Sequence, residues 1–306
     1  MIAFVVRRLL ISIPLLVVVS VVVFLLMSLT PGDPAALMLG PDATQESIAA
    51  LRTQMGLDRP LAEQYVLFLV NLAQGDLGRS FVTHLPVGGE LLRAWPATFQ
   101  IAVVAMIIAL AIGLPLGAIT AIRRGSWVDQ VTRIAVLVGI SMPIFWSGLL
   151  LIYFFAVQLG WLPTSGTGTP AHLILPAVSL STFSIAVVLR LTRSSMIEVL
   201  QEDYVRTARS KGLREWVVVV RHALMNALIP VVTIVGLQFG QLLSGAAITE
   251  TVFNWPGMGR LVVTAVFARD YPMIRGAILL IAATFIIVNL IVDVLYAVLD
   301  PRIRYA

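Results

Sequence analysis

The chain has 306 residues, 59% hydrophobic and only 12% charged, with a mean hydropathy of +0.96 and a formal net charge of +5. One or two soluble domains cannot bury so much apolar surface, so the excess must face lipid, and the basic residues flank membrane spans rather than forming a nucleic-acid surface. Cysteine is absent, which excludes disulfides, thiolate nucleophiles and thiolate-held metals.

A membrane-crossing helix needs about 20 apolar residues. The first uncharged run, residues 9–32, follows Arg7 and Arg8 and predicts a helix over 9–29. Its apolar stretch is too long for a signal peptide and no small-x-small cleavage site follows directly, so it reads as an anchor. The long loop Thr30 to Pro96 predicts two short amphipathic helices outside the membrane. Asp42 is the expected N-cap of the first, with Gln45 three residues on, Ile48, Leu51 and Met55 on one face and Gly56 as its stop. Pro60 in the first turn and Gly75 after the end bracket the second, which is too short to span.

Residues 94–122 predict a helix over 98–121, with Gly113 and Gly117 around Pro115 as a close-packing face. The uncharged run 134–189 is interrupted by "GWLPTSGTGTP" (Gly160 to Pro170) and divides into helices over 134–158 and 173–192, with Pro143 and Pro176 as kinks or end markers. Residues 226–249 form the fifth expected helix, where Gly236 and Gly240 offer another close-packing pair. Gln238, Gln241 and Ser244, three apart, fall roughly on one face of it and are candidates for a polar translocation pathway or for bonds between helices. Glu250, Phe253, Trp255, Pro256 and Gly257 follow as a turn, a candidate outer gate or docking surface, or a structural cap on the bundle. The sixth helix, 276–298, contains a single charge, Asp293, with Asn289 four residues earlier. The two are pathway candidates; the alternative is an acid paired with a surface arginine such as Arg302.

With the N-terminus in the cytoplasm, fourteen lysines and arginines fall on the cytoplasmic side and seven outside, so both termini are expected there. The division expected is 1–94 for the anchor and outer loop, 95–299 for a five-helix domain with a cytoplasmic loop at 200–225, and 300–306 for a tail. That loop is the chain's one charged island: Glu202 to His222 carries eight charges in 21 residues.

Chemistry of the chain's own is not expected. The sole lysine, Lys211, follows Ser210 rather than glycine, so no GxxxxGK[ST] phosphate loop exists. His84, His172 and His222 are far apart, which argues against an HExxH zinc site and an intramembrane Ser/His protease. No resident cofactor or metal is expected, and any ATP would be hydrolysed by another protein.

The charged island resembles the EAA loop of permease subunits of bacterial ATP-binding-cassette importers. Ala208, Gly212 and "LIP" at Leu228 to Pro230 keep the loop's spacing, while Arg206 and Thr207 replace its first Glu and Ala. "DYVRTARSKGL" is similar to the variant seen in the dipeptide, oligopeptide and nickel branch. "TPGDPA" (Thr30 to Ala35), "MGLDRPL" (Met55 to Leu61), "GDLGRSF" (Gly75 to Phe81), "ETVFNWPGMGRL" (Glu250 to Leu261), "RDYP" (Arg269 to Pro272) and "LDPRIRY" (Leu299 to Tyr305) extend the resemblance over almost the whole chain.

The resemblance implies an all-α polytopic protein of the bacterial inner membrane, with six transmembrane helices in the type I importer fold plus short extracytoplasmic helices. It implies a second homologous permease, two ATPases that bind the ATP and Mg, an extracytoplasmic solute-binding protein, and a short peptide, dipeptide or glutathione, as substrate; nickel or another small solute is the alternative. It also implies that the loop docks in a groove on an ATPase. Asp203, Tyr204, Arg206, Ala208, Arg209, Lys211, Gly212, Leu213 and Pro230 are the residues expected to serve it, with Gly212 breaking the chain between two short helices and Tyr204 and Leu213 as apolar anchors. A self-sufficient secondary carrier and a membrane scaffold are the competing classes.

Overall fold

The computed structural model describes residues 2–29, 32–40 and 42–299; the side chain of Asp293 and the tail motif from Asp300 onward lie outside the described residues. Among these, helices account for all the regular structure apart from one isolated bridge between Arg79 and Pro86. In chain order they are α1 (Ile2–Leu29), α2 (Pro34–Leu39), α3 (Gln45–Gln54), α4 (Leu61–Ala73), α5 (Val87–Ile122), α6 (Trp127–Ser141), α7 (Ile144–Leu151), α8 (Ala171–Val199), α9 (Asp203–Ser210), α10 (Glu215–Val217), α11 (Met225–Val252), α12 (Met258–Phe267) and α13 (Tyr271–Leu299). Ile152–Gln158 continues α7, and Val218–Leu224 joins α10 to α11, both as π-helix.

Four helices among the described residues are long and apolar enough to cross a bilayer: Val87–Ile122, Ala171–Val199, Glu215–Val252 and Tyr271–Val292. A count of six also requires α1, described as an apolar helix over Leu10–Leu26, and the segment expected as a straight span over 134–158. That segment is broken instead. Met142 is extended at φ −79°, ψ 121°, because the ring of Pro143 excludes the helical conformation from the residue before it, and the two halves meet at 107°. Pro176 does not interrupt α8.

The helices pack by the logic of a bilayer, with small side chains where two backbones come close. The inner face of α5 carries Ala94, Ala102, Ala105, Ala109, Gly113 and Gly117, all buried, whereas Ile107 and Ile112 are exposed. Its backbone therefore approaches α8 closely: a Cβ on Gly117 would lie 2.7 Å from Cβ of Thr192. The second small-residue pair does the same against α13, where Gly236 faces Val292 and a Cβ on Gly240 would overlap the ring of Phe285.

The outer loop holds both expected helices. The N-cap of α3 is Thr44, not Asp42, since the Thr44 hydroxyl accepts from Ser47 N–H at 3.2 Å. Pro60 caps α4, whose Phe68 stacks on Phe24 of α1 at 6.1 Å between centroids. Two helices were not expected: α2, too short to give a periodic signal, and α12, which begins inside the turn motif Glu250 to Leu261. The boundary expected at 94/95 falls inside α5.

Candidate functional site

The charged island folds as α9, a turn at Lys211 and Gly212, and a second helix that is not short: α10, the π-helical segment and α11 run without interruption from Glu215 to Val252. α9 is amphipathic at a scale of two turns. Val205 and Ala208 are buried and pack with Val218, Val199 and Leu200, fixing α9 to the end of α8 and to the π-helical segment. Beneath them Ala118 and Ala121 of α5 meet Met196, Val219 and Ala223. Ala208 thus serves the loop from inside, which corrects any reading of it as a surface contact.

The opposite face is open. Asp203, Arg206, Lys211 and Pro230 are exposed, as are Tyr204 and Leu213 at 42% and 40% and Trp216 at 64%. Gly212 makes the turn at φ +74°, a conformation available to glycine and costly to other residues. Arg209 spans the turn with two bonds to Glu215, Nη2 to Oε1 at 2.7 Å and Nε to Oε2 at 3.2 Å, so this arginine is occupied in shaping the loop. Arg206 meets Asp203 at 3.5 Å in an exposed pair of little strength.

A cluster that the sequence reading missed ties α6 to the α8 segment leading toward the loop. Asp129, fully buried at the start of α6, accepts from Arg193 of α8 through Nε at 2.7 Å and Nη2 at 3.0 Å, from Arg133 at 2.7 Å and from Gly125 N–H at 3.0 Å. Its signal in the sequence is faint, an acid four residues before Arg133 with a partner 64 positions away.

The pathway candidates do not share one face. Gln238 is buried and donates to Ser184 of α8 at 3.3 Å, while Gln241 and Ser244 are exposed. These two join Pro230, Thr233, Leu237 and Ile248 in a continuous exposed stripe along α11, at spacings of three and four. Asn289 is half-buried and its amide donates to Phe285 O at 2.9 Å.

At the other end of the bundle, Glu250, Phe253, Trp255 and Gly257 are buried and Pro256 alone is exposed. The Glu250 carboxylate receives Thr98 Oγ1 at 2.5 Å and Arg260 N–H at 2.9 Å, capping α12, and Met258 N–H donates to Thr98 Oγ1 at 2.7 Å. Trp255 Nε1 donates to Ala97 O at 3.0 Å. A parallel knot joins two further motifs. Asp270 accepts from the Ser80 hydroxyl and from Phe81 N–H at 3.1 Å, binding "RDYP" to "GDLGRSF". Glu250→Ala should leave these donors unpaired and lower stability by about 1–3 kcal/mol, read as a fall in the thermal midpoint of the detergent-solubilised protein.

Two family models account for nearly the whole chain: the binding-protein-dependent transport system inner membrane component matches residues 113–305, and the N-terminal part of such membrane components matches residues 1–102. The chain belongs to this family. Similar permeases include the glutathione transport system permease protein GsiC of Escherichia coli strain K12 and that of Pectobacterium atrosepticum, each 48% identical with both chains covered in full. Among solved structures, the inward-facing MetNI methionine ABC transporter aligns with TM-score 0.58 at 17% identity over 69% of this chain and 96% of its own. An amino acid ABC transporter aligns with TM-score 0.51 at 19% identity over 70% and 94%. The fold is therefore that of ABC importer permeases, and the protein is a multi-pass permease of the bacterial inner membrane.

Proposed function

We propose that this permease imports short peptides, glutathione foremost, as one half of a translocation pathway shared with a second, homologous permease. Two ATPases bind and hydrolyse ATP on the cytoplasmic side, where both termini lie, and an extracytoplasmic binding protein delivers the solute. The chain itself carries out no covalent chemistry. The observation that carries this reading is the α9 loop: a bilayer-spanning protein ends in a surface of exposed Tyr204, Leu213 and Trp216 beside Lys211, seated on the end of α8 and the π-helical segment, which α5 backs. Aromatic anchors ringed by charge suit a protein partner. ATP-driven closure of that partner would displace α9 and, through the unbroken helix from Glu215, α11 with it.

The exposed stripe on α11 suits the partner permease and the solute between them, since Thr233, Gln241 and Ser244 are poorly matched to lipid. Glutathione is favoured by the full-length similarity to glutathione permeases. Ser210, exposed at the end of α9, gives the test. In the assembled importer, Ser210→Cys should crosslink to an ATPase subunit and react with thiol reagents from the cytoplasmic face, and vesicles holding all subunits should accumulate labelled glutathione with ATP. Labelling from the outer face alone would overturn the topology; uptake by the permease without ATPases would favour a secondary carrier.

A further inference from the structure

Beside the N-terminal turns of α13, at the end of the bundle opposite α9, lies a cavity of about 500 Å³ bounded by α1, α3 and α4. Two of its polar groups have neither a hydrogen-bond partner nor a counter-charge among the described residues. The guanidinium of Arg275 lies 4.3 Å from the ring centroid of Phe68 and forms no ion pair among the described residues. Stacking on a ring occupies the face of a guanidinium and leaves its in-plane N–H donors free. Tyr271, only 8% exposed, has a hydroxyl with no hydrogen-bond partner. Tyr271 lines the same cavity, and its sealed hydroxyl lies beside another lining residue, 3.7 Å from where a Cβ on Gly32 would be.

The acid in the wall does not answer either group. Asp33 is engaged by Arg52 at 3.0 Å and by Ala35 N–H at 3.0 Å. A half-buried guanidinium and a buried hydroxyl on residues lining one cavity, with no anion opposite them among the described residues, form an incomplete pair, because a desolvated cation is costly without a counter-charge. We propose that the cavity binds the phosphodiester of an anionic membrane phospholipid, with Arg275 and Tyr271 as its donors.

A lipid suits the site better than a soluble anion because of what surrounds the opening. Leu25 and Leu26 of α1 and Leu61, Val66 and Val70 of α4 are all exposed, and these side chains need acyl chains over them. Arg275 sits four residues into α13, about 6 Å along the axis from Tyr271, near the depth where headgroup phosphates meet a helix end. A zwitterionic lipid would bring its own cation to a wall whose uncompensated charge is already positive.

The test uses the complete importer in nanodiscs of phosphatidylcholine doped with phosphatidylglycerol, with bound lipid counted by native mass spectrometry. Wild type should retain phosphatidylglycerol in excess of its share of the bilayer. Arg275→Gln should weaken retention about tenfold or more, and Tyr271→Phe several-fold, while exposed Arg93→Gln should change nothing. Tyr271→Phe removes a hydroxyl without a hydrogen-bond partner among the described residues, so it tests the site even where the arginine variant fails to assemble. Equal retention by wild type and Tyr271→Phe, or displacement of the lipid by millimolar glycerol phosphate or glutathione, would overturn the assignment, the second result transferring the site to a soluble anion.

Discussion

Replacing Gly212 with valine should reduce uptake by the assembled importer at least tenfold while the permease remains folded in the membrane. Gly212 has φ +74°, and no heavy atom lies within 4 Å of where its Cβ would be, so the substitution meets no neighbour and acts through the backbone alone. A left-handed conformation costs an ordinary residue roughly 1–2 kcal/mol, and more for one branched at Cβ. The turn relieves that cost by opening, which pulls Arg209 from Glu215 and moves Tyr204 and Trp216 away from one another. Gly212→Asn, which tolerates the left-handed region, should keep most of the uptake. Uptake and ATP hydrolysis measured on the same vesicles separate the outcomes: hydrolysis without transport, or loss of the ATPases on purification, supports the coupling role. Wild-type transport by the valine variant would sink it.

Asp129→Ala should cost about 3–5 kcal/mol, because removing one partner of a buried ion pair leaves the other charge desolvated. Arg193 is the group stranded, and Arg133, on the same helix as Asp129, is exposed enough to rehydrate. The double replacement Asp129→Leu with Arg193→Met should recover most of the loss, and the two single variants with the double form a cycle that isolates the pair. Thermal unfolding of the purified permease gives the readout; a midpoint for Asp129→Ala within a degree of wild type would show that water reaches Arg193. The pair ties α6 to the part of α8 that runs into α9, so transport in the single variants should fall further than stability alone predicts.

What could be read along the chain was what repeats locally. Uncharged runs gave α5, α8, α11 and α13 because lipid demands them residue by residue, and Gly56, Gly75 and Gly212 all take positive φ where a helix was expected to stop or turn. Pro143 was seen, but whether it bends or ends a helix depends on Met142, whose extended backbone no composition window reveals. Contacts between distant segments were invisible. Asp270 looked like part of a loop motif and proves to hold Ser80, 190 positions earlier; Glu250 read as a gate residue or a structural cap, and its partners Thr98 and Arg260 N–H could not be foreseen. Gln238 and Gln241 looked equivalent, yet a rotation of 300° over three residues turns one to α8 and leaves the other open. The coupling residues were legible as a set but not by role: Arg209 was expected to reach outward and is held by Glu215, while exposed Trp216 drew no notice.

The π-helical stretch Val218–Leu224 lies between the charged loop and the membrane part of α11. Each of its hydrogen bonds skips one residue more than an α-helical bond does, so the stretch stores one surplus residue in an otherwise regular rod. Deleting one residue there would let the rod rewind as pure α-helix with the turns on either side still in phase, because the wide turn takes up its surplus residue within a single revolution. The compass bearing of the docking surface is thus held by the wide turn, whereas the same surplus residue wound into regular α-helix would swing it by about 100°.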